Sequence, residues 1–499
     1  MTRDLLLGID IGTTGTKCSV YNGDGEIIST AYQEYPMLHP RKEWTEQNPD
    51  IWWACVCRNL KTCFEKVDSS RIACIGVSCT NAVCLVDQNT NVLYPAIGLH
   101  DQRADHQMEW LENRIGSQRI RQLSANNLAK GTCALSSIRW IIDEHPELIR
   151  RGAKFLMPSG FIISRLTGVF SINLSRLDLS CMGNIYSGTW EPEILQKAEI
   201  PPSLLPDVCR AGEIVGEVTQ TAAEQTGLTK GTPVTAGNVD TVSASFGSGA
   251  IHPGDFAITI GSSGRICYVA SKPNFTPKII NAHMPFGNDY LIIQTTNNAG
   301  ISLRWFRDVF GRAAFTENDN PTRNMYKRID ELAEKAGPGA KGVLYLPYLA
   351  GEKNPIWNAD ARGVFFNFGL DADFGTFARA VLEGVAFSIR DCANAVSSDF
   401  NTNAPVPIGG GIANSELWCQ IFADVLNRPV LMLKSQETET LGDIIVAAQA
   451  VGFSSIPIDF GRKMSSKGKI LYPTPDTKDM YSEQFEKYKK LYAQTADLF

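Results

Sequence analysis

LLLGIDIGTTGTKCSVYNGDGEIISTA, residues 5–31, decides the fold. Leu5–Asp10 reads as a buried apolar strand. Gly12–Thr16 is a turn made of glycine and hydroxyl residues. Lys17–Tyr21 is a second strand, Asn22-Gly23-Asp24-Gly25 a strong hairpin signal, and Glu26–Ala31 a third strand. A dinucleotide-binding fold needs a helix directly after its glycine-rich turn, and here a strand follows. The G-x-x-x-x-G-K-[ST] pattern of the P-loop is also missing from the sequence. Antiparallel strands around Gly-Thr-Thr-Gly point to another way of holding phosphate: a nest of successive backbone N–H groups, helped by hydroxyls.

The same phrase returns half a chain later. IDIGTTGTKCSVY at 9–21 is matched by ITIGSSGRICYVA at 258–270. Ile9, Ile11, Gly12, Gly15, Cys18 and Val20 recur as Ile258, Ile260, Gly261, Gly264, Cys267 and Val269. Thr13-Thr14 recur as Ser262-Ser263, while Asp10 is replaced by Thr259. The reading is a duplicated α/β domain, each copy opening on a phosphate-sized turn and only one carrying a carboxylate. Such a pair suits a clamp on a triphosphate and its metal.

Composition narrows the class. A chain of 499 residues needs two or three cores. It is 43% hydrophobic and 20% charged, with a net charge of −6, which is ordinary for a globular protein. No run of Lys and Arg tracks a nucleic acid, so neither nucleic acid nor a membrane is an expected partner. No stretch approaches the roughly 20 apolar residues of a membrane span. The start, MTRDLLLGIDIG, is a strand and not a leader, since Asp10 interrupts its short apolar run. Thirteen cysteines, an odd number, read as free thiols in a reducing cytoplasm. Cys74, Cys79 and Cys84 read as small core residues. The six histidines give no zinc-like spacing.

Helical patterns are expected at Pro49–Phe64, Asp105–Arg114 and Ser137–Glu144, with strands at Ile72–Val77 and Val83–Val86. Gly231–Gly237 reads as a strand and Asp240–Phe246 as a helix of small residues. The boundary is placed near Ser248–Pro253, giving domains 1–248 and 249–499. The second half repeats the plan, with strands at Phe256–Val269 and Leu291–Thr295 and a helix from Gly300. A long helix Phe374–Val396 and a helix Glu416–Leu426 follow. Tyr481, Phe485, Tyr488 and Tyr492 fall at helical spacing and mark a terminal helix docking an aromatic stripe. That helix is expected to pack back on the first domain.

Three places can carry chemistry. Asp10 ends a buried strand beside the turn, either as a cap of that turn or as a carboxylate for Mg²⁺. Asp240 opens a helix, either as an ordinary cap or as a base for a hydroxyl proton. The run IGGGIANSELW, 408–418, sets three glycines between a strand and a helix. It reads as a tight turn or as a ligand seat at a helix N-terminus.

Together these pieces resemble the FGGY carbohydrate kinases of the actin, Hsp70 and sugar-kinase superfamily. LLLGIDIGTTGTK resembles the first phosphate motif, EWTEQNPDIWW a family run, and AGNVDTVSASFGSGA the catalytic-aspartate segment. ITIGSSG is similar to the second phosphate motif and IGGGIANSELWCQIFADVL to the adenosine motif. NAGISLRWFRD, YLPYLAGEKNP, ARGVFFNF and ARAVLEGVAFSIRD complete the series in family order. The resemblance implies two ribonuclease H-like (actin-like ATPase) domains with an interdomain cleft, and transfer of the γ-phosphate of ATP to a sugar hydroxyl. It implies Asp240 as general base, with Asp10 and Asp240 serving Mg²⁺. Thr13, Thr14, Gly261 and Ser262 would hold phosphates. Gly300 and Arg304 would line the nucleotide pocket, and Gly410 and Asn414 would contact adenosine. A homodimer is common among such kinases.

The segment that selects the sugar departs from the family. Xylulose kinases carry Met-His and glycerol kinases Arg-Glu where this chain has Thr80, Asn81 and Ala82 in SCTNAVC. The usual W-N-D-x-R becomes Leu99-His100-Asp101-Gln102-Arg103, which keeps Asp101 as a hydroxyl acceptor. The family's lysine becomes Ser137, and Pro-Lys-Asp becomes Pro158-Ser159-Gly160. Thr80, Asn81, Asp101 and Asp240 are the expected sugar contacts. A ketopentose such as xylulose is the first expectation. A polyol or sugar acid of the glycerol, erythritol or gluconate type is the second, and a non-enzymatic actin- or Hsp70-like ATPase the third.

Overall fold

The computed structural model describes residues 3–152, 154–314, 323–396, 404–434 and 437–499. The chain forms two compact units. The first comprises Met1–Ile251, Val269–Ile292 and Glu437–Met464; the second comprises His252–Tyr268, Ile293–Gln436 and Ser465–Phe499. The chain thus re-enters the first unit twice after leaving it.

In the first unit the strand Leu5–Ile11 runs antiparallel to Gly15–Tyr21 and parallel to Ile72–Cys79. The sheet order is Ile214–Glu217, Pro233–Thr235, Ile72–Cys79, Leu5–Ile11, Gly15–Tyr21, Ile27–Glu34. Leu5–Ile11 is buried along both faces except at Asp10. The cause is that helices cover both sides. Pro49–Phe64 packs on the outer strands, and Thr438–Ala450 packs on Leu5–Ile11 and Ile72–Cys79. A central strand so placed reads as a continuous apolar run and not as an alternation. Pro49–Phe64 has the bounds its sequence signals require, because Asn48 caps the Asp50 N–H and Pro49 stands in the first turn. The expected strand Gly231–Gly237 is instead two short pieces, Pro233–Thr235 and Asn238–Val239. Gly237, at φ 75°, turns the chain between them.

The second unit repeats the local plan. Phe256–Ile260 runs antiparallel to Gly264–Ala270 and parallel to Val406–Gly410. Val430–Met432 and Lys469–Leu471 extend this sheet. Its core is built on the helix Phe374–Val396, buried through most of its length. The terminal helix Lys478–Thr495 belongs to this unit. Tyr481, Phe485 and Tyr488 enter the second core. The Tyr481 hydroxyl donates to Glu383 at 2.6 Å, and the Tyr348 and Tyr488 hydroxyls meet at 2.7 Å. The partners of that aromatic stripe, and not its period, decide which core takes it.

Candidate active site

The first unit gathers carboxylates at one end of its sheet. The strand Ile72–Cys79 supplies the geometry. Its Ser78 stands in register with Asp10 on one side and with Asn238 on the other. Two residues past Asn238, Asp240 opens the helix Asp240–Gly247. Asp10 and Asp240 therefore reach the same sheet end from the two strands flanking Ser78. Ser78 Oγ lies 2.9 Å from Asp10 Oδ1. Burial, then the neighbouring carboxylates Glu439, Asp240 and Asp443, push the Asp10 carboxyl well above the ordinary range.

Asp443 escaped the sequence reading. It lies on Thr438–Ala450, a late helix that returns to the first unit. Its side chain is buried, with Ser243 Oγ 2.6 Å from Oδ1 and Ser78 Oγ 2.8 Å from Oδ2. Burial pushes its carboxyl up to about 8. The sequence signal was a lone carboxylate in the apolar run TLGDIIVAA.

The first turn is held by its own carbonyls. Tyr35 Oη donates to Gly12 O, Tyr35 N to Thr14 O at 3.1 Å, and Gln47 Nε2 to Thr13 O at 2.7 Å. Thr13 and Thr80 hydroxyls meet at 2.9 Å. The N–H groups of Thr13 and Thr14 donate to nothing among the described residues, so they stay open to an anion. Magnesium favours hard oxygens and is usually held by one or two carboxylates together with substrate phosphates. Asp10 and Asp240 fit that use. Among the described residues no group of three or more His, Cys, Asp or Glu is placed to hold a metal by protein alone.

The second unit holds the other predicted contacts around a cavity of about 850 Å³. Gly261, Ser262, Gly300, Arg304 and Asn414 all line it. Gly410 stands in register with Ile260 at its edge. Here the turn is drawn onto a helix start: Ala299 N and Ile301 N donate to Ser262 O, and Gly300 N to Gly261 O at 2.9 Å. A methyl group on Gly300 would run into that Gly261 carbonyl. The two turns therefore differ despite their shared phrase. Ile11 pairs with Thr16, whereas Ile260 pairs with Gly264, one residue tighter. Arg304 Nη2 reaches Ser262 Oγ at 3.3 Å. Tyr326, Lys327 and Asp330 also line the cavity and were missed, because single polar residues on a helix carry no motif; Trp418, which ends the run 408–418, lines it as well. Burial raises the Asp330 carboxyl to about 6, against the lowering effect of the Ser415 hydroxyl.

The expected sugar contacts are more committed than their sequence suggested. Asp101 is buried, and all four of its lone-pair positions are used: Oδ1 by Arg103 N and Nε, Oδ2 by Thr45 N and Arg103 Nη2. It locks Arg103 over the Trp44 ring at 3.8 Å. Asn81 donates to Gly131 O and Thr132 O and accepts from Arg176 Nη1 at 2.9 Å. Arg176, buried at 1% exposure, also grips Cys79 O and Thr80 O, and it forms no ion pair among the described residues. Ser137, Ser159 and Gly160, which stand where the family has charged residues, are buried.

A duplicated strand–turn–strand plan, with a carboxylate pair in one unit and a turn seated on a helix start in the other, defines an actin-like ATPase fold built for phosphoryl transfer. Residues 5–247 match the FGGY family of carbohydrate kinases, N-terminal domain, and residues 256–451 the C-terminal domain of the same family. The chain belongs to the FGGY family of carbohydrate kinases: it is a phosphotransferase that uses ATP and acts on a sugar hydroxyl. It is 30% identical to the gluconokinase of Bacillus subtilis (strain 168), over 90% of this chain and 88% of that one. It is 26% identical to the xylulose kinase of Staphylococcus xylosus, over 98% and 99%. The solved xylulose kinase from Rhodospirillum rubrum superposes with a TM-score of 0.88 at 25% identity, covering 99% of each chain. Membership of a kinase family sets aside the filament and chaperone-ATPase readings. Among the described residues no helix is long and apolar enough to cross a membrane.

Proposed function

We propose that the acceptor is a ketopentose such as xylulose, that Asp240 takes the proton of its attacking hydroxyl, and that Asp10 serves the magnesium of Mg·ATP. The observation carrying this reading is the meeting of Asp10 and Asp240 at one sheet end, beside a turn with open N–H groups. Phosphoryl transfer needs alignment, charge neutralisation and a base, and those groups supply them. The magnesium, when bound, neutralises charge on the phosphates. Thr13 and Thr14, and separately Gly261 and Ser262, hold phosphates, while Gly300 and Arg304 line the nucleotide pocket. Gly410 and Asn414 serve the adenosine end. Asp101 acts through Arg103, and Asn81 together with Thr80 forms an uncharged wall for hydroxyls. We place the enzyme in the cytoplasm, as a homodimer.

A second reading, a sugar acid, is favoured by one feature. Arg176 is a buried cation that forms no ion pair among the described residues, and it holds the Thr80–Asn81 wall from behind. Its field favours an anionic acceptor. The decisive experiment is ADP release from Mg·ATP over ketopentoses, aldonic acids, aldoses and polyols, for the wild type and D240N. Strong turnover with xylulose, lost by about 10²-fold or more in D240N, supports the first reading. Turnover with gluconate alone replaces it by the second. Full turnover in D240N removes Asp240 as the base.

A further inference from the structure

A proton count around Ser78 singles out Asp443. The Ser78 hydroxyl stands 2.9 Å from Asp10 Oδ1 and 2.8 Å from Asp443 Oδ2. A serine hydroxyl carries one hydrogen, and an ionised carboxylate carries none. Both contacts are hydrogen bonds only when one of the two carboxyls brings a second hydrogen. Asp443 is the more enclosed, at 1% exposure, whereas Asp10 is half-buried at the sheet end. Asp443 therefore holds the hydrogen and gives it to Ser78, and Ser78 gives its own to Asp10. On its other oxygen Asp443 accepts from Ser243 at 2.6 Å. Ser243 lies one turn after Asp240 on the same helix.

The packing fixes this arrangement. The helices Thr438–Ala450 and Asp240–Gly247 meet at backbone distance, and a methyl group on Gly442 would collide with the Ser243 carbonyl. Thr438–Ala450 is anchored independently by Tyr21, whose hydroxyl meets that of Thr440 at 2.7 Å. One side chain thus joins Ser78, the partner of Asp10 on the adjacent strand, to the helix bearing Asp240.

We propose that Asp443, as a neutral acid, is a positioning residue that sets Asp10 through Ser78 and the Asp240 helix through Ser243. The proposal rests on the reading of Asp10 and Asp240 given above. Asparagine reproduces the hydrogen pattern, since its amide donates to Ser78 and its carbonyl accepts from Ser243. Alanine reproduces neither.

The test compares D443A, D443N, Y21F and D240N in the full chain, with Mg·ATP and xylulose or gluconate, at a temperature where circular dichroism shows each variant folded. Y21F removes a buried hydroxyl contact of the same helix without touching Ser78 or Ser243, so it controls for loosened packing. D443A is expected to lower kcat by about 10- to 100-fold, the scale of a small misplacement of catalytic groups, with both KM values within about threefold. D443N is expected to recover kcat to within about threefold of wild type, and Y21F to keep it. Equal loss in D443N and D443A would show that a charged carboxylate is required and overturn the proposal. So would an unaffected D443A, or a Y21F loss matching that of D443A. A readout free of turnover is the infrared difference between wild type and D443N at pH 7. A protonated-carboxyl carbonyl band confined to the wild type is expected, and its absence sinks the proposal even where no sugar is turned over. D240N is read separately: if it retains activity, the base assignment fails whatever Asp443 does.

Discussion

At the scale of single residues, the wall around Thr80 and Asn81 makes the sharpest prediction. Arg176 spends one nitrogen on Asn81 Oδ1 and another on the carbonyls of Cys79 and Thr80. Asn81→Ala and Arg176→Met should each raise the sugar KM while leaving the ATP KM within about twofold. They share one hydrogen bond, so the double variant should cost less than the sum, by about 0.5–3 kcal/mol of coupling. Strict additivity would show that the two side chains act apart. Ser262 and Arg304 line the second unit's cavity, and there the expectation reverses: Arg304→Ala should raise the ATP KM and spare the sugar KM. Residues with a motif were legible in the sequence. Asp10 was marked by its repeated turn and Asp240 by the small residues after it. Asp443, Arg176 and Asp330 were not, because each takes its meaning from a partner far along the chain. Asp443 finds Ser243 and Ser78, 200 and 365 residues away. Asp101 was legible in its D-x-R run, and three of its four accepted bonds come from Arg103 in that run, but the fourth, from Thr45 N, could not be read from its own segment.

At the scale of elements, sequence signals fixed bounds wherever a cap or a breaker stood. Asn48-Pro49 starts one helix, and Ser415, accepting from Trp418 N, starts another. The strand Gly231–Gly237 was misread because its apolar pattern does not show that Gly237 leaves the sheet. The tighter second turn was hidden for a related reason: the phrase is shared, but only the second turn has a helix start donating into its carbonyls. That contact predicts the behaviour of Gly300→Ala. The added methyl must displace the helix start from Gly261, so the ATP KM should rise by about tenfold while the sugar KM holds. An unchanged ATP KM would separate the helix start from the nucleotide. The terminal helix offers a stability test without a catalytic effect. Tyr481 gives a hydrogen bond to the buried Glu383, which is also paired with Arg379 at 2.7 Å. Tyr481→Phe removes a bond to a charged group, worth about 1.5–3 kcal/mol. The melting midpoint of the second unit should fall by several degrees, with kcat and both KM values intact.

At the scale of the whole molecule, duplication explains the shared topology, and the late return of Glu437–Met464 explains why the first unit depends on a segment inserted between two strands of the second unit's sheet, Val430–Met432 and Lys469–Leu471. That return places Asp443 under the first sheet, and it gives the folded chain an unusual pH response. Burial raises the Asp443 carboxyl to about 8, and burial with neighbouring carboxylates raises Asp10 as well. In the unfolded chain both titrate near 4. Between about pH 4 and pH 8 the folded state therefore holds the Asp443 proton, which the unfolded state has lost. Stability changes with pH in proportion to the protons bound unfolded minus those bound folded, and here that difference is negative. The stabilisation is full below about pH 4 and is lost as pH rises through 8, by up to about 1.4 kcal/mol per pH unit for each such group. The exposed carboxyls whose values are lowered, such as Asp4 and Glu193, oppose this only weakly, because solvent screens their pairs. The first unit of the ligand-free protein should thus melt at lower temperature at pH 8 than at pH 5.5. D443N removes one of the retained protons and should flatten that slope, narrowing or reversing the gap to wild type at pH 8. Melting curves of the two proteins across pH 5–8 decide the matter: parallel slopes would mean that Asp443 is ionised in the fold, and its hydrogen bond to Ser78 would have to run the other way.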